Sequence, residues 1–169
     1  MTASTIAQHN IDLRDEAGTV RLAQALAGVY QQQDASARVQ FVTLSGALGT
    51  GKTTLVRAFL RALGWAGPVK SPTYNLVETY SLASFSIVHF DLYRLADADE
   101  LEHLGARDYF STDSLCWVEW PEHGQGFLPP ADLDIALFSG DESGRHLTFR
   151  VYTPAAEQWM AALHQEFSQ

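Results

Sequence analysis

Apolar residues recur along the chain at two spacings, one helical and one alternating, and the switches between them mark the elements. Ile11 to Leu13 close a short first strand. From Asp15, a good N-cap type, Leu22, Leu26, Val29 and Tyr30 fall at helical spacing and predict a helix to about Gln32. The polar stretch Gln33 to Ala37 reads as loop. Val39 to Ser45 (VQFVTLS) is a β-rich run followed at once by a glycine-rich turn. Leu55, Val56, Phe59, Leu60 and Leu63 then form one apolar helix face, with Gly64 placed to cap its C-terminus. The order is strand, glycine loop, helix.

The middle of the chain repeats strand signals. Pro72 begins a segment whose continuation, Tyr74 to Tyr80, is rich in β-formers. Phe85 to Phe90 (FSIVHF) is a second strand that ends at Asp91, and Leu115 to Val118 (LCWV) is a buried-type strand that ends at Glu119 and Trp120. Between them, Asp97 with Glu100 three residues on has the form of a capping box for a short helix stopped at Gly105. Asp134 to Phe138 and His146 to Tyr152 flank the turn Ser139 to Gly144 and predict a hairpin. Thr153-Pro154 opens a last helix with Trp159, Met160, Leu163 and Phe167 inward. The class is α/β with an antiparallel portion towards the end.

A length of 169 residues fits one domain spanning 1–169. No apolar run approaches the roughly 18 residues of a membrane span, and the first residues lack the basic and apolar regions of a signal peptide. The expected location is the cytoplasm. Charge narrows the function further. Eleven Lys+Arg face 20 Asp+Glu, a formal net charge of −9, so unaided binding of RNA or DNA is not expected. Cys116 stands alone, which excludes an internal disulfide and a cysteine-based zinc site.

Residues 46–53 (GALGTGKT) satisfy the phosphate-loop pattern G-x-x-x-x-G-K-S/T between a predicted strand and a predicted helix, the context the motif requires. Glycines allow backbone N–H groups to turn inward around phosphates without a Cβ in the way. The following helix directs its positive N-terminal end to the same place. Lys52 reaches the β and γ phosphates and Thr53 offers its hydroxyl to Mg²⁺. The expected fold is therefore a P-loop NTPase-like sheet with flanking helices, mixed parallel and antiparallel, with a C-terminal hairpin.

Such a loop requires a carboxylate at the end of a neighbouring strand. Asp91 and Glu119 both have that position, at the strand edge where open α/β sheets bind ligands. Trp120 either walls the site or is an ordinary buried aromatic. Ser71-Pro72-Thr73 is either a switch closing over the γ phosphate or a plain loop stiffened by proline. His89 reads as a hydrogen-bonded structural histidine, and Asp97, Asp99, Glu100 and Glu102 as a solvated helix face with partner docking as the alternative. No Asn-Lys-x-Asp supports guanine recognition, and Asp141 to Gly144 matches D-x-x-G only in a hairpin turn. A kinase of small metabolites is the rival reading, but Arg94, Arg107 and Arg145 are too scattered to make a lid. A nucleotide sensor without turnover is a third. The start of the first helix, Asp15 and Glu16, is a candidate for the base end of a nucleotide.

Together, G-A-L-G-T-G-K-T-T at 46–54, V-K-S-P-T-Y-N-L-V-E at 69–78, H-F-D-L-Y-R-L at 89–95, E-L-E-x-L-G-x-R-D-Y-F at 100–110 and V-E-W at 118–120 resemble the TsaE (YjeE) family. These are the small P-loop ATPases of bacterial tRNA threonylcarbamoyladenosine synthesis. The resemblance implies that Gly49, Thr50, Gly51, Lys52, Thr53 and Thr54 bind ATP or ADP, with Thr53 and Glu119 holding Mg²⁺. By the same resemblance, Asp91 is the acidic residue near the γ phosphate, Trp120 the tryptophan beside the nucleotide, and Gly144-Arg145 a Gly-Arg pair near it. Lys52, Asp91 and Glu119 are the implied catalytic set. The family commonly reads Gly-Asp-Leu-Gly where this chain has Gly46-Ala47-Leu48-Gly49, so a carboxylate is missing at the loop. The implied partners are the TsaB and TsaD subunits, with tRNA contacted only through them.

Overall fold

The computed structural model describes residues 4–72, 74–110 and 113–167, the side chains of 166 and 167 excepted. Thr73 and the side chain of Phe167, both singled out above, lie outside that description. Seven strands form one sheet: β1 (Ala7–Leu13), β2 (Phe41–Ser45), β3 (Val77–Ser81), β4 (Ser86–Asp91), β5 (Ser114–Glu119), β6 (Leu133–Ser139) and β7 (Arg145–Val151). Their order is β1-β7-β6-β2-β5-β4-β3. The four central strands β6, β2, β5 and β4 are mutually parallel, while β1, β7 and β3 are antiparallel to their neighbours. The expected mixed α/β sheet with a C-terminal hairpin, β6 to β7, is the fold observed.

Strand alternation assigns the two faces. Leu44 on β2, Trp117 on β5, Ile135 on β6 and Phe149 on β7 share one face with the apolar sides of three helices. These are α1 (Glu16–Gln32), α2 (Lys52–Ala62) and α4 (Pro154–Phe167). Tyr30, Phe59, Trp117 and Trp159 meet there at ring-centroid distances of 5.0 to 6.4 Å, and the Trp159 indole donates to the Leu26 carbonyl at 2.9 Å. Such offset and edge contacts suit the aromatic quadrupole. The opposite face is divided. Around β4 and β5 it is apolar, with Phe41, Phe90, Cys116 and Val118 covered by α3 (Asp99–His103) and short 3₁₀ turns. Around β1, β7 and β6 it is polar: Arg150 reaches Asp134 at 2.7 Å, Thr43 donates to Asp134 at 2.9 Å, and Thr148 donates to Asn10 at 2.9 Å.

Element ends follow local chemistry. Asp15 accepts the Gly18 amide at 2.8 Å and caps α1 as its side chain predicts. Gly64 stands at φ +91, the left-handed geometry that stops a helix after α2. Glu100 accepts the amides of Ala96 and Asp97, and Asp97 accepts that of Asp99, so the expected cap forms over a helix of five residues. Asp97, Asp99, Glu100 and Glu102 are all exposed. Two boundaries depart from the pattern. The β-rich run from Tyr74 pairs only from Val77, because Leu76 sits at φ +61 and donates its amide back to Pro72. The polar stretch after α1 carries a 3₁₀ turn at Ala35–Ala37. Replacing Asp15 by Ala should cost about 1 kcal/mol. A lower urea midpoint at an unchanged slope is the expected signature.

Candidate functional site

The chain turns sharply after β2, and glycine makes the turn possible. Gly46, Gly49 and Gly51 have φ of +141, +80 and +99, and a Cβ on Gly46 would run into the Leu137 carbonyl oxygen. Residues 46–51 thus deliver the start of α2 directly above the C-terminal ends of the parallel strands. Its first-turn N–H groups, those of Lys52, Thr53 and Thr54, have no acceptor within the helix and form its positive end.

Lys52 is only 4% exposed. Its ammonium donates to the carbonyls of Gly46 and Ala47 at 2.8 and 2.9 Å and lies 4.0 Å from the centre of the Trp120 ring. Burial pushes its pKa below the usual lysine range, against the opposing pull of Glu119, Asp91 and Glu122. The missing carboxylate at Ala47 leaves this arrangement intact, since residue 47 acts through its carbonyl, which also accepts the Thr50 hydroxyl at 2.9 Å. Trp120 reaches the lysine because it adopts φ +58, ψ +51, a left-handed conformation unusual for a large side chain. Tyr93 packs on its ring at 4.9 Å.

The two strand-end carboxylates lie side by side. Asp91 pairs with Glu119 in the β4–β5 register, and Leu44 pairs with Glu119 in the β2–β5 register. Glu119 is therefore on the strand next to the loop, and Asp91 one strand further out. Glu119 Oε1 accepts the Thr53 hydroxyl at 2.8 Å and stands 2.8 Å from His89 Nε2. Asp91 accepts the Ser71 hydroxyl at 3.0 Å through Oδ2 and the Tyr93 amide at 3.1 Å through Oδ1. Ser71 is thus tied to the site.

A cavity of about 430 Å³ opens where these groups meet, a size within the range of small-molecule sites. Of the residues read from the sequence, Gly49, Gly51, Lys52, Thr53, Thr54, Asp91, Glu119 and Trp120 line it, as does Ser71. Thr50 and Arg145 stand behind it. Arg145 donates from Nε to the Thr50 carbonyl at 2.9 Å, and it lines a recess of about 120 Å³ with Gly51, Thr54, Glu16 and Thr19. The β6–β7 hairpin is what carries this arginine to the loop. Leu48, Tyr93 and Arg94 also border the main cavity and were not picked out as site residues. They face it through loop geometry, for which hydrophobic periodicity has no signal. Cys116 is buried, donates to the Tyr109 carbonyl, and has its pKa pushed up to about 12 by burial, so it offers no thiolate.

Comparison with known proteins agrees with this geometry. The profile of the family described as "Threonylcarbamoyl adenosine biosynthesis protein TsaE" matches residues 13–147. The tRNA threonylcarbamoyladenosine biosynthesis protein TsaE of Haemophilus influenzae is 57% identical over 102 residues, 60% of this chain and 65% of that protein's length. The protein of the same name from Aquifex aeolicus is 32% identical over 142 residues, 83% of this chain and 92% of the relative. The crystal structure of Bacillus subtilus YdiB superimposes with a TM-score of 0.75 at 25% identity, covering 98% of this chain and 99% of that one. With the family profile matched over residues 13–147 and a relative matched over 83% of its length, the chain belongs to the TsaE family of threonylcarbamoyl adenosine biosynthesis proteins.

Proposed function

We propose that the chain is a Mg²⁺-dependent ATPase that serves threonylcarbamoyladenosine formation in tRNA as an accessory to the TsaB–TsaD complex in the cytoplasm. The observation that carries this reading is the meeting of Lys52, Thr53, Asp91, Glu119 and Trp120 in one cavity at the C-terminal edge of parallel strands. The relatives matched in sequence carry the tRNA modification in their names, which supports the biological setting.

The residues divide the work. The loop amides and the start of α2 would cradle the phosphate oxygens, and Lys52 would exchange its carbonyl partners for the β and γ phosphates. Its partly desolvated ammonium strengthens that contact, since charges attract more strongly away from water. Magnesium, when bound, neutralises charge on the phosphates as a Lewis acid. The Thr53 hydroxyl and the Glu119 carboxylate are hard oxygen donors of the kind it takes, and both lie at the cavity wall. Asp91 would orient the attacking water, and its bond to Ser71 makes the strip after residue 70 sensitive to what the site contains. The recess between Arg145, Thr54 and Glu16 lies at the start of α1, where Asp15 and Glu16 were the sequence candidates for the base end, and Glu16 of the two lines it. Among the described residues no helix is long and apolar enough to cross a membrane.

Lys52→Ala removes a charge-assisted contact of ~1.5–3 kcal/mol. Nucleotide binding or turnover should then fall about tenfold or more, measured by calorimetry and phosphate release. Free phosphate without a phosphorylated acceptor separates the ATPase from a metabolite kinase, and near-normal turnover in this variant would remove the assignment.

Glu119→Gln and Asp91→Asn keep shape and remove charge. The first should raise the Mg²⁺ concentration for half-maximal activity, and the second should lower kcat more than nucleotide affinity. Superimposable Mg²⁺ curves for Glu119→Gln and the parent would count against its ligand role.

A surface at −9 should not hold a polyanion unaided. The isolated protein is expected to show no tRNA retention at ~0.15 M salt, and to join the TsaB–TsaD assembly when ATP is present. Salt-resistant tRNA binding by the chain alone, or failure to associate under every nucleotide condition, contradicts the scheme.

A further inference from the structure

One further titratable side chain is buried beside Glu119. His89 is fully buried on β4, two residues before Asp91 and on the same sheet face. In register it lies opposite Trp117 on β5, whose own side chain faces α2 and α4. Its Nε2 is 2.8 Å from Glu119 Oε1, the same oxygen that accepts the Thr53 hydroxyl at 2.8 Å. Among the described residues its Nδ1 has no hydrogen-bond partner, and neither has the nearby buried indole nitrogen of Trp117.

Hydrogen-bonding chemistry favours one direction for the contact. An ionised carboxylate only accepts, so the proton between the two groups is carried by Nε2. Nδ1 meets no hydrogen-bond partner among the described residues, so the contact with Glu119 is the one hydrogen bond open to the ring. The tautomer with its hydrogen on Nε2 is the one that suits the surroundings. A histidine kept only for packing has no use for a polar ring with one unsatisfied end, where an aliphatic side chain would fill the space without penalty. What the ring does here is donate to Glu119.

Both donors fall on one oxygen. Thr53 comes from the first turn of α2 and His89 from the middle of β4, so Oε1 is fixed from two elements while Oε2 receives no hydrogen bond among the described residues. We infer that His89 is a positioning residue: its Nε2–H, with the Thr53 hydroxyl, locks the Glu119 carboxylate so that Oε2 is the oxygen offered to the metal. Partners that orient a metal-binding carboxylate in this way commonly govern affinity as strongly as some ligands do. The inference rests on the proposed role of Glu119 in holding Mg²⁺.

The test has two arms. In the apo wild-type protein, long-range ¹H–¹⁵N correlation of the His89 ring should show hydrogen on Nε2 and a bare Nδ1. A bare Nε2, with the hydrogen on Nδ1 alone, overturns the inference whatever the variants do. The second arm compares His89→Gln, whose amide nitrogen sits where Nε2 does, with His89→Asn and His89→Leu, which cannot reach Glu119. For the Asn and Leu variants the Mg²⁺ requirement should rise about 10–100-fold, with ADP affinity in EDTA unchanged, while Gln restores most of the difference. A Leu variant with the parental Mg²⁺ curve, or a Gln variant as impaired as Leu, overturns it. Glu119→Gln separates the two levels. If it shifts the Mg²⁺ curve and His89→Leu does not, only the positioning role falls. If it shifts nothing, the metal role of Glu119 falls and takes the inference with it.

Discussion

The upper edge of the sheet is organised around a cation held almost out of water. An ammonium at 4% exposure is costly unless polar atoms surround it. Here the first partners are two backbone carbonyls, and the nearest carboxylates stand further off. This choice matters. A direct ion pair would occupy the lysine, whereas carbonyls can be exchanged for a more strongly charged oxygen. The glycine turn exists to bring those carbonyls within reach, the left-handed Trp120 closes one side with its ring face, and the sheet places negative charge at a second distance.

The strand order explains why the carboxylates stand where they do. β5 is next to β2, and β4 is next to β5, so successive strand ends step away from the loop in a line. Glu119 on the nearer strand meets the first turn of α2 through Thr53, and Asp91 on the farther strand meets the strip at Ser71. One carboxylate is therefore coupled to a rigid helix and the other to a loop. Their chemistry is the same, and their mechanical surroundings are not.

Much of this could be read without coordinates. The glycine loop between a β-rich run and an amphipathic helix marked the turn that borders the cavity, and apolar runs that stop at Asp91 and Glu119 located both carboxylates. Asp15, Gly64 and the Asp97–Glu100 cap marked helix ends because capping is local chemistry. What escaped was set by tertiary placement. Nothing in the pattern indicates that Trp120 turns into left-handed geometry to lie on Lys52, that Tyr93 packs on that tryptophan, or that His89 stands 2.8 Å from Glu119. The strand predicted from Tyr74 begins three residues later, since Leu76 breaks the extended path that β-propensity alone would continue. Arg145 was readable only by likeness, because its contact with Thr50 spans 95 positions.

That long contact bears on how the protein is made. β1 pairs with β7 alone, and Arg145 at the start of β7 is what meets the phosphate loop from behind. While the ribosome is still producing the residues before β7, the first strand has no neighbour to join and α1 has not yet received α4. Domains dominated by distant pairings fold slowly, and their unpaired strands are exposed in the meantime. The loop itself is synthesised early, yet its surroundings are completed among the last segments. A nascent chain thus carries the glycine loop long before it carries a finished cavity, so whatever the site does becomes possible only late, together with the closing of the sheet.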